Sequence, residues 1–164
     1  MIIHKIKVAH QDERGAISDI LQQVVVDCVT LITITNGSIR GNHYHKETTQ
    51  HMLMTKGSLE YWYKDFGSDE PAKMYVAKVG DLVSTKPFEI HGLRICSEGN
   101  EFIVFSEGQK DTNNFASLLL FDFGPCKIGE DCAKQTLPVA SVTTIDSQSL
   151  YLPIFFTSSA DSWL

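Results

Sequence analysis

Apolar and polar residues alternate in short runs along the first two-thirds of this chain, and turn-forming residues separate the runs. Alternation with period 2 sends successive side chains to opposite faces of a strand, so each run predicts a half-buried β-strand. Ile2 to Val8 alternates loosely and leads to a turn at Asp12-Glu13-Arg14-Gly15. Val24 to Val26 and Val29 to Thr35 follow, the latter strictly alternating as LITIT before Asn36-Gly37, a strong tight-turn signal. Further strands are predicted over His51 to Thr55, Leu59 to Tyr63, Met74 to Val79, Leu82 to Thr85, Ile90 to Ile95 and Glu101 to Phe105. Strands recurring about every 8–12 residues with turns between them predict an all-β sandwich or barrel. Asn113 to Phe123 (NNFASLLLFDF) is compatible with a buried strand or a short helix, because periodicity does not separate the two over so few residues.

Beyond Pro125 the chain turns polar and rich in Ser and Thr, with an apolar patch at Leu150 to Phe156. This divides the chain into a barrel over 1–125, with its N-terminal strands, and an extension or arm over 126–164. The arm is expected to pack on the barrel or on a second subunit. With 164 residues the chain fits one domain and can bury a real core.

Composition narrows the partners. Hydrophobic residues make up 43% and charged residues 21%, which excludes a disordered chain. Fourteen Lys and Arg against twenty Asp and Glu leave a net charge of -6, the wrong sign for nucleic acid or an anionic membrane as main partner. The N-terminus lacks the apolar stretch of a signal peptide, and no apolar run approaches the ~20 residues of a membrane span. A cytoplasmic protein is expected. Cys28, Cys96, Cys126 and Cys132 are then read as reduced thiols, and Cys126 with Cys132 makes only half of a metal site.

The chemistry is concentrated in one window, RGNHYHKETTQH. His43 and His45 are two apart, so on a strand they share a face, where they can bind a divalent metal or act as a base and its partner. If Gln50 points inward with Met52 and Met54, parity turns His51 outward. The three arginines are scarce in an acidic chain. Arg40 stands three residues before His43 and Arg94 three after His91, which suggests an anionic ligand such as a phosphate or carboxylate. Leu59, Tyr61 and Tyr63 share one parity, Glu60 and Trp62 the other, so only one set faces the pocket. His4 and His10 read as structural, and Arg14-Gly15 as a turn.

These residues resemble a known family. Gly37-SIRGN-His43-Tyr44-His45-KETT-Gln50-HMLMTK-Gly57 is similar to the first cupin motif, G-x5-H-x-H-x4-E-x6-G, at every spacing. Gly80-DLVSTK-Pro87-FEI-His91 resembles the second motif less closely. It lacks the glycine after the proline, one residue is displaced, and no Asn follows. The resemblance implies a single-domain double-stranded β-helix, the jelly-roll barrel. The family's glutamate ligand corresponds to Gln50, which carries no charge and is a weaker fourth ligand. His43, His45 and His91 can still hold Zn, Fe, Mn or Ni, since three imidazoles suffice for a catalytic zinc site.

Within the cupins, Arg40-Gly41-Asn42-His43-Tyr44-His45-Lys46 with Gln50 is similar to the 3,4-ketoisomerases of dTDP-4-keto-6-deoxyhexoses. It also resembles the cupin domains attached to some UDP-sugar reductases. Asp12-Glu13-Arg14-Gly15 resembles a turn of the 3,5-epimerases. The implied function is isomerisation or epimerisation of a nucleotide-linked 4-keto-6-deoxy sugar, with no obligatory cofactor and a homodimeric assembly. His43 or His45 would be the base. Tyr61, Tyr63 or His91 would be the acid or oxyanion partner, and Arg40 would pair with the diphosphate. A metal-dependent, dioxygenase-like cupin and a non-catalytic small-ligand-binding cupin are the alternatives.

Overall fold

The computed structural model describes residues 1–95, 97–108, 115–117, 121 and 123, and these form an all-β structure. In chain order the strands are β1 (Ile2–Lys5), β2 (Val8–Asp12), β3 (Gly15–Ser18), β4 (Cys28–Ile34), β5 (Ile39–His45) and β6 (Thr49–Lys56). They continue as β7 (Ser58–Asp65), β8 (Lys73–Lys78), β9 (Asp81–Thr85), β10 (Glu89–Ile95), β11 (Asn100–Glu107) and β12 (Phe115–Ser117). One five-stranded sheet has the order β1-β9-β6-β11-β4, and a second has the order β12-β5-β10-β7-β8. A two-stranded hairpin, β2-β3, belongs to neither sheet. All ladders are antiparallel. The two sheets face each other as the halves of a jelly roll, and from β4 onward consecutive strands switch from one sheet to the other, β7 and β8 excepted.

Period-2 patterning builds the core. Ile32 and Ile34 of β4, Met52 and Met54 of β6, Val83 of β9, and Phe102 and Val104 of β11 project from the first sheet. Leu59 and Tyr61 of β7, Ala77 of β8, and Leu93 and Ile95 of β10 meet them from the second. Each pair is two apart, as one face of a strand requires. Truncating a buried ring such as Phe102 to alanine typically costs about 3–5 kcal/mol.

Several expected boundaries shift. The turn at Asp12 to Gly15 closes the β2-β3 hairpin, and Ile2 to Val8 divides into β1 and the start of β2. Val24 to Val26, expected as a strand from its run of valines, lies outside the strands; Val25 is 76% exposed, so the run has no sheet face to bury its side chains. Asn36-Gly37 does form the turn, with the Gly37 N–H donating to the Ile95 carbonyl at 2.9 Å. It carries the chain from the first sheet to the second instead of closing a hairpin. Within Asn113 to Phe123, the three described residues of β12 are strand. The other readings made beyond position 108, including the arm over 126–164, Cys126 and Cys132, lie outside the described residues, as does Cys96. Among the described residues no helix is long and apolar enough to cross a membrane.

Candidate active site

β5 and β10 run side by side, and their register places His91 opposite His43. His45 follows two residues along β5 on the same face. The three rings meet at the inner wall. Centroids are 4.8 Å apart for His43 and His45, 4.7 Å for His43 and His91, and 5.4 Å for His45 and His91. Their ligand nitrogens all lie within 4.8 Å of one another.

Burial sets their protonation. The His43 imidazole is pushed down to about 4, first by desolvation and then by the neighbouring His45. His91 is held well below the ordinary histidine value by desolvation, with His43 and His45 adding to it. Both rings are therefore neutral at physiological pH, the form that acts as a base and the form that ligates metal. His91 Nδ1 stands 3.3 Å from the carbonyl of Glu89. An N–H there donates to that carbonyl and leaves Nε2 as the lone-pair nitrogen facing the site.

The odd-numbered set of β7 is the one that faces inward. Tyr63 pairs in register with His91, and the Tyr61 ring lies parallel to His91 at 6.1 Å, 7° between planes. Tyr61 is hydrogen-bonded to the Thr85 hydroxyl. Burial raises its phenol well above the ordinary tyrosine value, while the Thr85 bond works in the opposite sense. Tyr61 thus stays protonated. Gln50 pairs with Thr85 on one side and Ser106 on the other, which puts it on the inner face with Met52 and Met54. His51 faces outward, as parity requires, and bonds to Ser84 and Glu107.

The two arginines part company. Arg40 lies three residues from His43, a spacing that on a regular strand would send it to the other face. A bulge prevents this: Gly41 and Asn42 both take positive φ, +75° and +61°, and the register shifts between His91 and Gly92. Arg40 thereby pairs with the core residue Leu93 and shares its inner face. Gly41 is required here, since a Cβ would lie 2.9 Å from the His91 carbonyl oxygen. Arg40 is half-buried, and its side chain makes no hydrogen bond or ion pair among the described residues.

Arg94, expected beside His91 as a ligand-binding residue, occupies the opposite face of β10. Three residues of regular strand separate it from His91, so it projects outward. There its Nε donates to the Glu60 carboxylate at 3.0 Å, and the guanidinium lies 5.8 Å from the centre of the Phe123 ring. Trp62 Nε1 donates to the same carboxylate at 3.0 Å. Gly92 lets the cover approach, because a Cβ would meet Phe121 at 2.8 Å and Phe123 at 2.9 Å.

Glu89 was not anticipated. It stands two residues before His91, so the same parity that unites His43 and His45 puts it on the inner face. Its carboxylate is buried, pairs with the Met1 amine, and is raised by desolvation against the pull of that amine. Thr85, likewise inward, was also missed; its parity with Val83 was the available signal.

A barrel of two antiparallel sheets with three histidines on its inner wall is the cupin jelly roll. The chain belongs to the polysaccharide biosynthesis C-terminal domain family, which it matches over residues 10–109. No curated protein matches the sequence significantly. Among solved structures, the sugar 3,4-ketoisomerase QdtA from Thermoanaerobacterium thermosaccharolyticum, in complex with TDP, is similar with a TM-score of 0.61. It is 18% identical over 72% of this chain and 88% of that one. A 3,4-ketoisomerase from Helicobacter canadensis has a TM-score of 0.62 at 20% identity, over 70% of this chain and 88% of its own. The dTDP-4-dehydrorhamnose 3,5-epimerase from Sulfolobus tokodaii has a TM-score of 0.59 at 19% identity, over 71% and 75%. At such identities the likeness establishes the fold.

Proposed function

We propose that this barrel binds a nucleotide-linked 4-keto-6-deoxy sugar and isomerises or epimerises it by histidine-mediated proton transfer. The observation that carries the reading is the grouping of His43 and His45 with His91, Tyr61 and Tyr63 on one inner wall. Moving a carbonyl, or inverting a centre beside one, requires a proton to leave the carbon next to it. His43 or His45 takes that proton, and the enediolate oxygen needs a nearby donor, which His91 or a tyrosine hydroxyl supplies. Arg40, cationic and without an ion-pair partner among the described residues, pairs with the diphosphate. Supporting this reading, similar structures are described as acting on 4-keto-6-deoxy sugars or holding TDP.

The test is direct. Calorimetry with TDP and UDP measures binding, and NMR in deuterium oxide follows dTDP-4-keto-6-deoxyglucose for rearrangement and solvent deuterium at the transferred position. Binding with turnover, and loss of turnover in His43→Asn or His45→Asn, is expected. Neither nucleotide binding at millimolar concentration would remove the reading. Binding without turnover would leave a ligand-binding barrel.

The close histidine nitrogens favour a second role for the same wall. His43, His45 and His91 fit a divalent cation such as Zn, Fe, Mn or Ni, with Gln50 a weak fourth ligand. Such an ion would supply Lewis acidity to a carbonyl oxygen. Elemental mass spectrometry on untagged protein distinguishes one ion per chain from none, and a redox metal with oxygen consumption would point to the dioxygenase-like alternative.

On the favoured reading the protein is cytoplasmic and homodimeric. Its described cysteine, Cys28, is a free thiol. The β2-β3 hairpin stands apart from both sheets with Val8 54% and Ile17 61% exposed, and a lone hairpin is marginal in water without a surface to pack on. Light scattering on eluted protein reads the mass.

A further inference from the structure

The outer face of the first sheet carries a polar chain that the barrel chemistry does not use. His51 of β6 and Ser84 of β9 are register partners, and His51 Nδ1 lies 2.7 Å from the Ser84 hydroxyl. On its other side His51 Nε2 lies 2.6 Å from the Glu107 carboxylate at the end of β11. Glu107 accepts, so Nε2 carries the proton and Nδ1 presents its lone pair to the Ser84 O–H. Serine and histidine are both buried, while the carboxylate is partly open to solvent. Ser84 and His51 line a cavity of about 540 Å³ whose walls include Leu21, Val24, Leu82 and Lys7.

We propose that Ser84, His51 and Glu107 form a second reactive site, an acyl-transfer triad that takes small acyl esters from this cavity. The roles follow from the bonding order. Ser84 Oγ attacks the ester carbonyl carbon while its proton passes to His51 Nδ1. Glu107 holds the ring in the required tautomer and stabilises the imidazolium. Collapse of the tetrahedral adduct breaks the bond to the alcohol, which leaves with the proton from His51. Water, deprotonated by His51, then attacks the acyl-serine, releasing the carboxylic acid and restoring the serine. No oxidant or cofactor enters. The apolar side chains of the lining, Leu21, Val24 and Leu82 among them, suit a short acyl chain, and Lys7, which lines the same cavity, is a cation available to a developing oxyanion. The site lies on the opposite face of the sheet from the histidines of the barrel, so it stands or falls independently of the keto-sugar reading.

The experiment is labelling of the folded full chain with a fluorophosphonate probe, mapped by peptide mass spectrometry, with thermal melts confirming that each variant is folded. One adduct per chain on Ser84 is expected, absent in Ser84→Ala and slowed about 100-fold or more in His51→Gln. Glu107→Gln, at the solvent-facing end, tests the relay should His51→Gln fail to fold; it should label at least tenfold more slowly. An unlabelled Ser84, or labelling at the same rate in the His51 or Glu107 variant, overturns the proposal and leaves a structural hydrogen-bond chain.

Discussion

Replacing Arg94 by leucine would remove the guanidinium that pairs with the buried Glu60 carboxylate. Glu60 has no exposed side-chain surface and Arg94 only 10%. Two guanidinium nitrogens, Nε and Nη2, donate to a single Glu60 oxygen, and Trp62 Nε1 donates to it as well. Hydrogen bonds to charged groups contribute about 1.5–3 kcal/mol each, so losing two costs about 3–6 kcal/mol. The usual penalty for breaking a buried pair from one side, about 3–5 kcal/mol, agrees. In urea, with a slope of about 2 kcal/mol per molar, the unfolding midpoint should fall by about 2 M. The double variant Glu60→Leu/Arg94→Leu removes both charges and should be more stable than Arg94→Leu alone. A single variant within about 1 kcal/mol of the parent would refute the reasoning, since it would mean that the pair is effectively solvated. So would a double variant no better than the sum of the singles. Because Arg94 faces away from the histidines, the folded Arg94→Leu protein should keep its TDP affinity, whereas Arg40→Leu should weaken it at least tenfold.

Other expectations concern the inner wall. In metal-stripped protein, His43 titrates near 4 when folded and near the ordinary 6.5 when unfolded. The unfolded chain then binds more protons between those values. Its contribution is full above about pH 6.5 and lost as pH falls toward 4, about 3 kcal/mol in all, and urea melts across pH 4–7 should show the fall weakened in His43→Asn. Gly41→Ala puts a Cβ against the His91 carbonyl at positive φ; a melting temperature unchanged from the parent would show that the bulge tolerates it. Tyr61→Phe strands the buried Thr85 hydroxyl and should cost about 1–3 kcal/mol in the same denaturant assay.

What parity and spacing decide was legible in the chain itself. The strand punctuation, the shared face of His43 and His45, and the inward Gln50 with an outward His51 all rest on the two-residue repeat of a strand, a local property of the backbone. The same repeat held two facts that nearness in sequence obscured. Arg94 is an odd number of residues from His91 and so leaves its face, while Glu89 is two away and joins it. Tertiary structure alone decided the rest. Whether Tyr61 and Tyr63 or Glu60 and Trp62 faced the barrel depended on which side of β7 the opposite sheet covered, and alternation is symmetric about that choice. Arg40 reached the inner wall through a bulge that exists only because β5 pairs with β10, where Gly41 yields to the His91 carbonyl. The relay of Ser84, His51 and Glu107 joins positions far apart in the chain, and only the packing of β9, β6 and β11 side by side brings their side chains within hydrogen-bonding distance.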